Sequence, residues 1–126
     1  MKQKTLRLTA KEEEVMLQFW SRGDMFVREL LATYPDPKPH FNTVSTVVRG
    51  LEEKGFLSHR AYGGTYQYFA AISLDEFKAQ SLRGFIGKYY NNSIISAVSA
   101  LVDSKAISSD ELSELMELVE RNGGDQ

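Results

Sequence analysis

The sequence has no cysteine, only three prolines and two histidines, and no apolar run near the roughly 20 residues that cross a bilayer. Each absence removes a class of function. Without thiols there is no disulfide scaffold, no iron–sulfur cluster, no thiol nucleophile and no thiolate-held zinc. Residues 1–20 lack the apolar core of a signal peptide, so a cytoplasmic protein is expected, with no insertion into a membrane. His40 and His59 form no His-x-x-His pair, and the chain carries no Gly-rich phosphate loop and no Gly-x-Ser-x-Gly elbow. An enzyme is not expected, and neither is a metal or another cofactor; His40 and His59 with carboxylates would be the only route to a metal site.

The chain also lacks a basic excess. Its net charge is −2 over 126 residues, which at first speaks against a nucleic acid partner. The charge is unevenly spread, however. Residues 1–75 carry ten Lys/Arg against nine Asp/Glu, whereas residues 76–126 carry five against eight. The acidity therefore belongs mostly to the C-terminal part, and the N-terminal part remains open to DNA.

What is present is helical periodicity punctuated by caps. Thr9-Ala10-Lys11-Glu12 is a capping box, in which the hydroxyl and the carboxylate each satisfy a free N–H at the helix start. Val15, Met16, Phe19 and Trp20 follow at helical spacing and Gly23 stops the helix, while Glu12-Glu13-Glu14 suits the positive end of the helix dipole. Val27, Leu30 and Leu31 mark a second helix over 27–34. Pro35, Pro37 and Pro39 end it and are expected to hold 35–40 extended.

The third segment, Phe41 to Lys54, is the most informative. At 100° per residue, Val44, Val47, Val48 and Leu51 form one apolar stripe, opposite Asn42, Thr46, Arg49 and Glu53 with Thr43 and Ser45 flanking. A solvent face is usually filled with Glu and Lys. Here it carries compact polar groups that lower helix propensity but let a backbone approach DNA closely. Arg49 can take a guanine edge bidentately, Asn42 an adenine edge or a phosphate, and Thr43, Ser45 and Thr46 phosphates or a thymine methyl. The plainer reading is a merely solvated surface helix. Gly55 ends the segment, and two β-prone arms, from Phe56-Leu57 and Thr65 to Phe69, flank Gly63-Gly64 as a hairpin. On that hairpin Arg60 is the first candidate for a phosphate, with His59, Tyr62 and Thr65 behind it; Tyr66, Tyr68 and Phe69 read as its apolar side. Lys2, Lys4, Arg7 and Lys11 could touch a DNA backbone but equally serve solubility.

Ser73-Leu74-Asp75-Glu76 and Ser108-Ser109-Asp110-Glu111 are two further capping boxes. The first opens a helix with Phe77, Leu82, Phe85, Ile86 and Tyr89 on its apolar side, broken by Asn91-Asn92-Ser93. A fifth helix holds Ile94, Ile95, Val98, Leu101 and Val102; a sixth holds Leu112, Leu115, Met116 and Val119. Three short amphipathic helices cannot bury all these faces on themselves, so the same segment of a second subunit is the simplest cover. The expected fold is mainly α with a small β-hairpin: a winged helix-turn-helix DNA-binding domain over 1–72, a three-helix dimerisation segment over 73–121, and a frayed tail over 122–126.

With these motifs placed, the chain resembles the BlaI/MecI/CopY, or penicillinase-repressor, family of winged-helix regulators. The resemblance rests on Leu8 to Met16 with Trp20 closing the first helix, Asn42 to Gly55, the Tyr66-x-Tyr68 strand, and Phe85 to Tyr90 before two short helices. It implies a homodimer on a palindromic operator that represses its own operon. It also implies a membrane-bound metalloprotease sensor as partner, whose signal leads to cleavage in the dimerisation segment. The family's cut falls at an Asn-Phe bond; the aligned position here is Ala100-Leu101. The copper-responsive branch carries a C-terminal cysteine cluster that this chain lacks, and His40 stands where family members often have a serine cap. The alternative from another class is a winged helix used for protein–protein contact without sequence-specific DNA binding.

Overall fold

The computed structural model describes residues 7–123. In chain order the elements are α1 (Ala10–Arg22), β1 (Met25–Phe26), α2 (Val27–Leu31), α3 (Phe41–Glu53), β2 (Leu57–Tyr62), β3 (Thr65–Ala70), α4 (Leu74–Tyr89), α5 (Ile94–Asp103) and α6 (Ser109–Gly123). They form two compact units, the first ending at Ser81 and the second beginning at Leu82. This division falls within α4, beyond the boundary at 72 expected from sequence, because Phe77 packs with the first unit: its ring lies 5.2 Å from Trp20 and 5.9 Å from Phe56.

In the first unit, α1 starts where the capping box places it. The Thr9 hydroxyl accepts the Glu12 N–H at 3.2 Å, and the Glu12 carboxylate accepts the Thr9 N–H at 2.9 Å. One face of α1 (Val15, Met16, Phe19) meets Leu30 of α2 and Val44, Val48 and Leu51 of α3 in a single apolar core, closed by Phe56, Leu57, Tyr68 and Ile72. Val47, on the same stripe of α3, packs half-buried at its edge. Trp20 is fixed from both ends, since its ring meets Phe77 and its indole N–H donates to the Ile72 carbonyl at 2.9 Å.

Three local features differ from the sequence reading. α2 ends at Leu31 rather than near 34, because Thr33 and Tyr34 turn back with their N–H groups on the carbonyls of Leu30 and Leu31. The proline connector is not extended throughout; it bends at Asp36 and Pro37, whose peptide is cis. The sheet has a third strand: β1 pairs antiparallel with β3 (Met25 opposite Tyr68), giving the order β1-β3-β2. Two residues are too few to show an alternation, so only the fold reveals them.

In the second unit, α4 closes at Asn91 and Asn92, both with positive φ (54° and 64°), a conformation asparagine tolerates. Ser93 then caps α5 by accepting the Ser96 N–H, and Ser108 and Glu111 form the box that opens α6. Among the described residues none after Ile72 is buried. Phe85, Tyr89, Ile94, Ile95, Leu101, Val102, Leu115, Met116 and Val119 are exposed, while Ile86, Val98 and Leu112 are half-buried. Asn122 and Gly123 are the last residues of α6; the rest of the tail expected to fray, 124–126, lies outside the described residues, as do Lys2 and Lys4.

Candidate nucleic-acid interface

The buried stripe of α3 fixes which side chains face outward. Asn42, Thr43, Thr46 and Arg49 are exposed and Ser45 is half-buried, so the five residues expected to read DNA share one accessible helix flank. No side chain caps α3: His40 occupies the cap position, and its carbonyl accepts the N–H groups of Thr43 and Val44. Along the outer face, Thr46 donates its hydroxyl to the Asn42 carbonyl at 2.9 Å. Arg49 reaches back over the preceding turn, donating to the Ser45 hydroxyl at 3.1 Å and the Thr46 hydroxyl at 3.5 Å. These are neutral partners, and among the described residues Arg49 forms no ion pair. Its charge is available to an acceptor outside the chain.

The wing candidates divide between two faces, as strand alternation demands. His59 lies opposite Tyr68, on the face turned toward α3; its Nδ1 is 2.7 Å from the Glu52 carboxylate and its ring stacks on Tyr66 at 4.1 Å. Burial raises the Tyr68 phenol above its ordinary pKa, and the Glu52 charge adds to that. Arg60 lies on the other face, opposite Gln67. It meets the Asp24 carboxylate at 3.1 Å and the Gln67 side chain at 3.2 Å, with its guanidinium 4.4 Å over Phe69. Phe69 therefore does not share a side with Tyr66 and Tyr68, which corrects the reading of all three as one apolar face. Tyr62 and Thr65 pair across the tip and are exposed, with the Tyr62 ring 6.0 Å from Phe26.

His40 lies in the connector just before α3 and His59 in β2, and among the described residues no group of three or more His, Asp or Glu side chains is placed to hold a metal. No described helix is long and apolar enough to cross a membrane. Sequence reasoning missed Arg28, on the outer side of α2, whose guanidinium lies 5.7 Å over the exposed Phe41 ring at the start of α3. Its signal was a basic residue followed only by Glu29, whose carboxylate instead accepts the Phe26 N–H at 2.8 Å.

The chain is similar to known regulators along nearly its whole length. The family described as penicillinase repressor matches residues 8–121. The methicillin resistance regulatory protein MecI of Staphylococcus aureus (strain N315) is 25% identical over 122 residues, covering 96% of this chain and 99% of that protein. The penicillinase repressor of Bacillus licheniformis is also 25% identical, over 92% of this chain and 91% of its own. The solved structure of the transcriptional regulator SlyA superposes with a TM-score of 0.45 at 17% identity, over 92% of this chain and 74% of that one. With its helices, wing and near full-length family match in place, the chain belongs to the penicillinase-repressor family and is a winged-helix, DNA-binding transcriptional regulator rather than an enzyme.

Proposed function

We propose that two copies of this chain bind a palindromic operator in cytoplasmic DNA and repress transcription, each laying α3 in a major groove. The observation that carries this is the outer face of α3, where Asn42, Thr43, Ser45 and Thr46 lie with an Arg49 that is held by the Ser45 and Thr46 hydroxyls and, among the described residues, is in no ion pair. A guanidinium held by neutral hydroxyls exchanges them readily for a guanine edge or a phosphate. The exposed apolar side chains of α4–α6 make the second unit the dimerising part. Repression would be relieved by proteolysis through a membrane metalloprotease sensor acting near Ala100 and Leu101. Both residues lie inside α5, where the Ala100 carbonyl accepts the Ser104 N–H and the Leu101 carbonyl the Ala106 N–H, so a protease cutting there acts on a locally opened helix.

The test is fluorescence anisotropy of the intact protein with a random duplex at two salt concentrations. Affinity that falls steeply with salt is expected, because released counterions set that slope. Absence of binding at low salt would defeat the proposal and leave protein contact as the use of the wing.

A further inference from the structure

A cleft of about 620 Å³ opens beside the reading face of α3. That volume falls within the roughly 300–1,000 Å³ typical of small-molecule sites. Four of its walls are aromatic: Phe26, Phe41, Tyr66 and Tyr68. Phe41 and Tyr66 are 40% and 49% exposed beside the contacts they already make, with Arg28 5.7 Å over Phe41 and His59 stacked on Tyr66 at 4.1 Å, so each residue keeps open surface for a further partner.

Both of its cations are arginines. Arg28 and Arg49 both line the cleft, and among the described residues neither is in an ion pair. Glu29 is the one carboxylate in the lining, and it is engaged by the Phe26 N–H. The Ser45 hydroxyl, held by Arg49 at 3.1 Å, supplies a further hydrogen-bonding group. An inorganic phosphate would use the guanidiniums and leave the aromatic walls idle. A neutral aromatic would use the walls and leave two charges unanswered. A group that is both planar and anionic uses the aromatic walls and the two guanidiniums together.

We propose that this cleft is an effector site for a small planar aromatic carboxylate, its ring against Phe41 and Tyr66 and its carboxylate on Arg28 and Arg49. Because Ser45 and Arg49 also belong to the DNA-reading face, an occupied cleft and a bound operator exclude one another, and the ligand acts as an inducer. That consequence rests on the DNA-binding reading above; ligand binding itself does not.

The experiment is isothermal titration of the intact protein, without DNA, with 2-naphthoate and with the neutral 2-naphthalenemethanol. The expected result is saturable binding of one naphthoate per chain, none of the alcohol, and weakening by about tenfold or more in Arg28→Gln and in Tyr66→Ala. Both substituted side chains are outside the core, and an unchanged unfolding midpoint confirms that each variant is folded. In a second arm, saturating naphthoate lowers the affinity for a fluorescent duplex. No saturable binding up to about 5 mM, equal binding of acid and alcohol, or binding indifferent to both substitutions overturns the proposal. Naphthoate failing while the duplex binds removes only this inference. A duplex that does not bind at low salt removes the DNA reading, while the first arm still decides whether the cleft takes an anion.

Discussion

The charged side chains of the first unit fall into those already neutralised and those left available. Arg60 is held by Asp24 and Lys54 by Glu12, whereas Arg28 and Arg49 meet no carboxylate among the described residues. A paired cation must give up its partner before it meets DNA; an unpaired one need not. Arg49→Ala is therefore expected to lower operator affinity by about 1–3 kcal/mol with a much smaller effect on random sequence, and Arg49→Lys should restore charge but not selectivity, because lysine lacks the fork. Parallel anisotropy titrations on operator and scrambled duplex measure this, and equal losses on both would make Arg49 a phosphate contact instead. Arg49 was legible in the sequence because helical spacing alone placed it opposite the valine stripe. Arg28 was not, since only the fold sets it over Phe41, thirteen positions along the chain.

The Glu12–Lys54 pair, 2.6 Å apart, ties the start of α1 to the end of α3 and gives stability a defined pH dependence. Burial tends to raise the Glu12 carboxyl. The hydrogen bonds from Lys54 and the Thr9 backbone, with the Lys54 charge, outweigh it and hold the group below its ordinary value of 4.5. A carboxyl with a depressed folded-state pKa contributes stability above its unfolded value and loses it as pH falls through the folded one. Glu12→Gln keeps a capping side chain but removes the charge. It should destabilise the protein by about 1 kcal/mol at neutral pH, and the gap from the parent should close as pH falls below 4.5. Urea midpoints across that range check it; a gap independent of pH would show that the charge on Glu12 contributes nothing.

At the scale of elements, the junction between α3 and the wing decides how α3 is presented. Beyond Lys54, Gly55 has φ 90°; its N–H donates to the Glu52 carbonyl at 3.0 Å and the Phe56 N–H to the Leu51 carbonyl at 2.9 Å. This is the paired hydrogen-bond pattern that ends a helix through a left-handed residue. It drops Phe56 and Leu57 directly into the core and starts β2 in register. The wing tip also uses a left-handed residue, Gly63, with φ 58° in a two-residue turn. Gly55→Ala should cost about 1–2 kcal/mol, because a Cβ disfavours the left-handed region, and denaturant unfolding measures it. A loss near zero would mean that the junction relaxes into another turn. The helix stop, both arms of the hairpin and all three capping boxes were readable, since each is written in adjacent residues. β1 was not, because it follows from which strand β3 pairs with, and that is set by packing across the fold. The separation of Phe69 from Tyr66 and Tyr68 was within reach of the sequence, since strand alternation alone puts them on opposite faces.

For the whole molecule, the contrast between the two units is one of burial. Every fully buried side chain among the described residues lies at or before Ile72, although the later helices have as regular an apolar spacing as α1 or α3. Periodicity thus predicted the helices of the second unit correctly, but a single chain leaves their faces uncovered; that surplus was legible, and the identity of its cover is what a second subunit would supply. Ile95, 77% exposed, is the sharpest probe of this. In an isolated chain Ile95→Glu exchanges one solvated side chain for another and should change stability by less than about 0.5 kcal/mol. In a dimer that buries the position, the same change places a charge in an apolar contact and opposes association. Light scattering should therefore report a dimer for the parent and a monomer for Ile95→Glu at micromolar concentration, with the circular dichroism of the variant unchanged. DNA affinity should fall along with the mass, because the first 75 residues carry ten basic against nine acidic side chains and one near-neutral unit gains little from phosphates. Two half-sites held together recover what one cannot, as effective concentration multiplies two weak contacts. A parent chain that is monomeric yet binds its operator as tightly as the variant would separate recognition from dimerisation and reassign the apolar helices to a different partner.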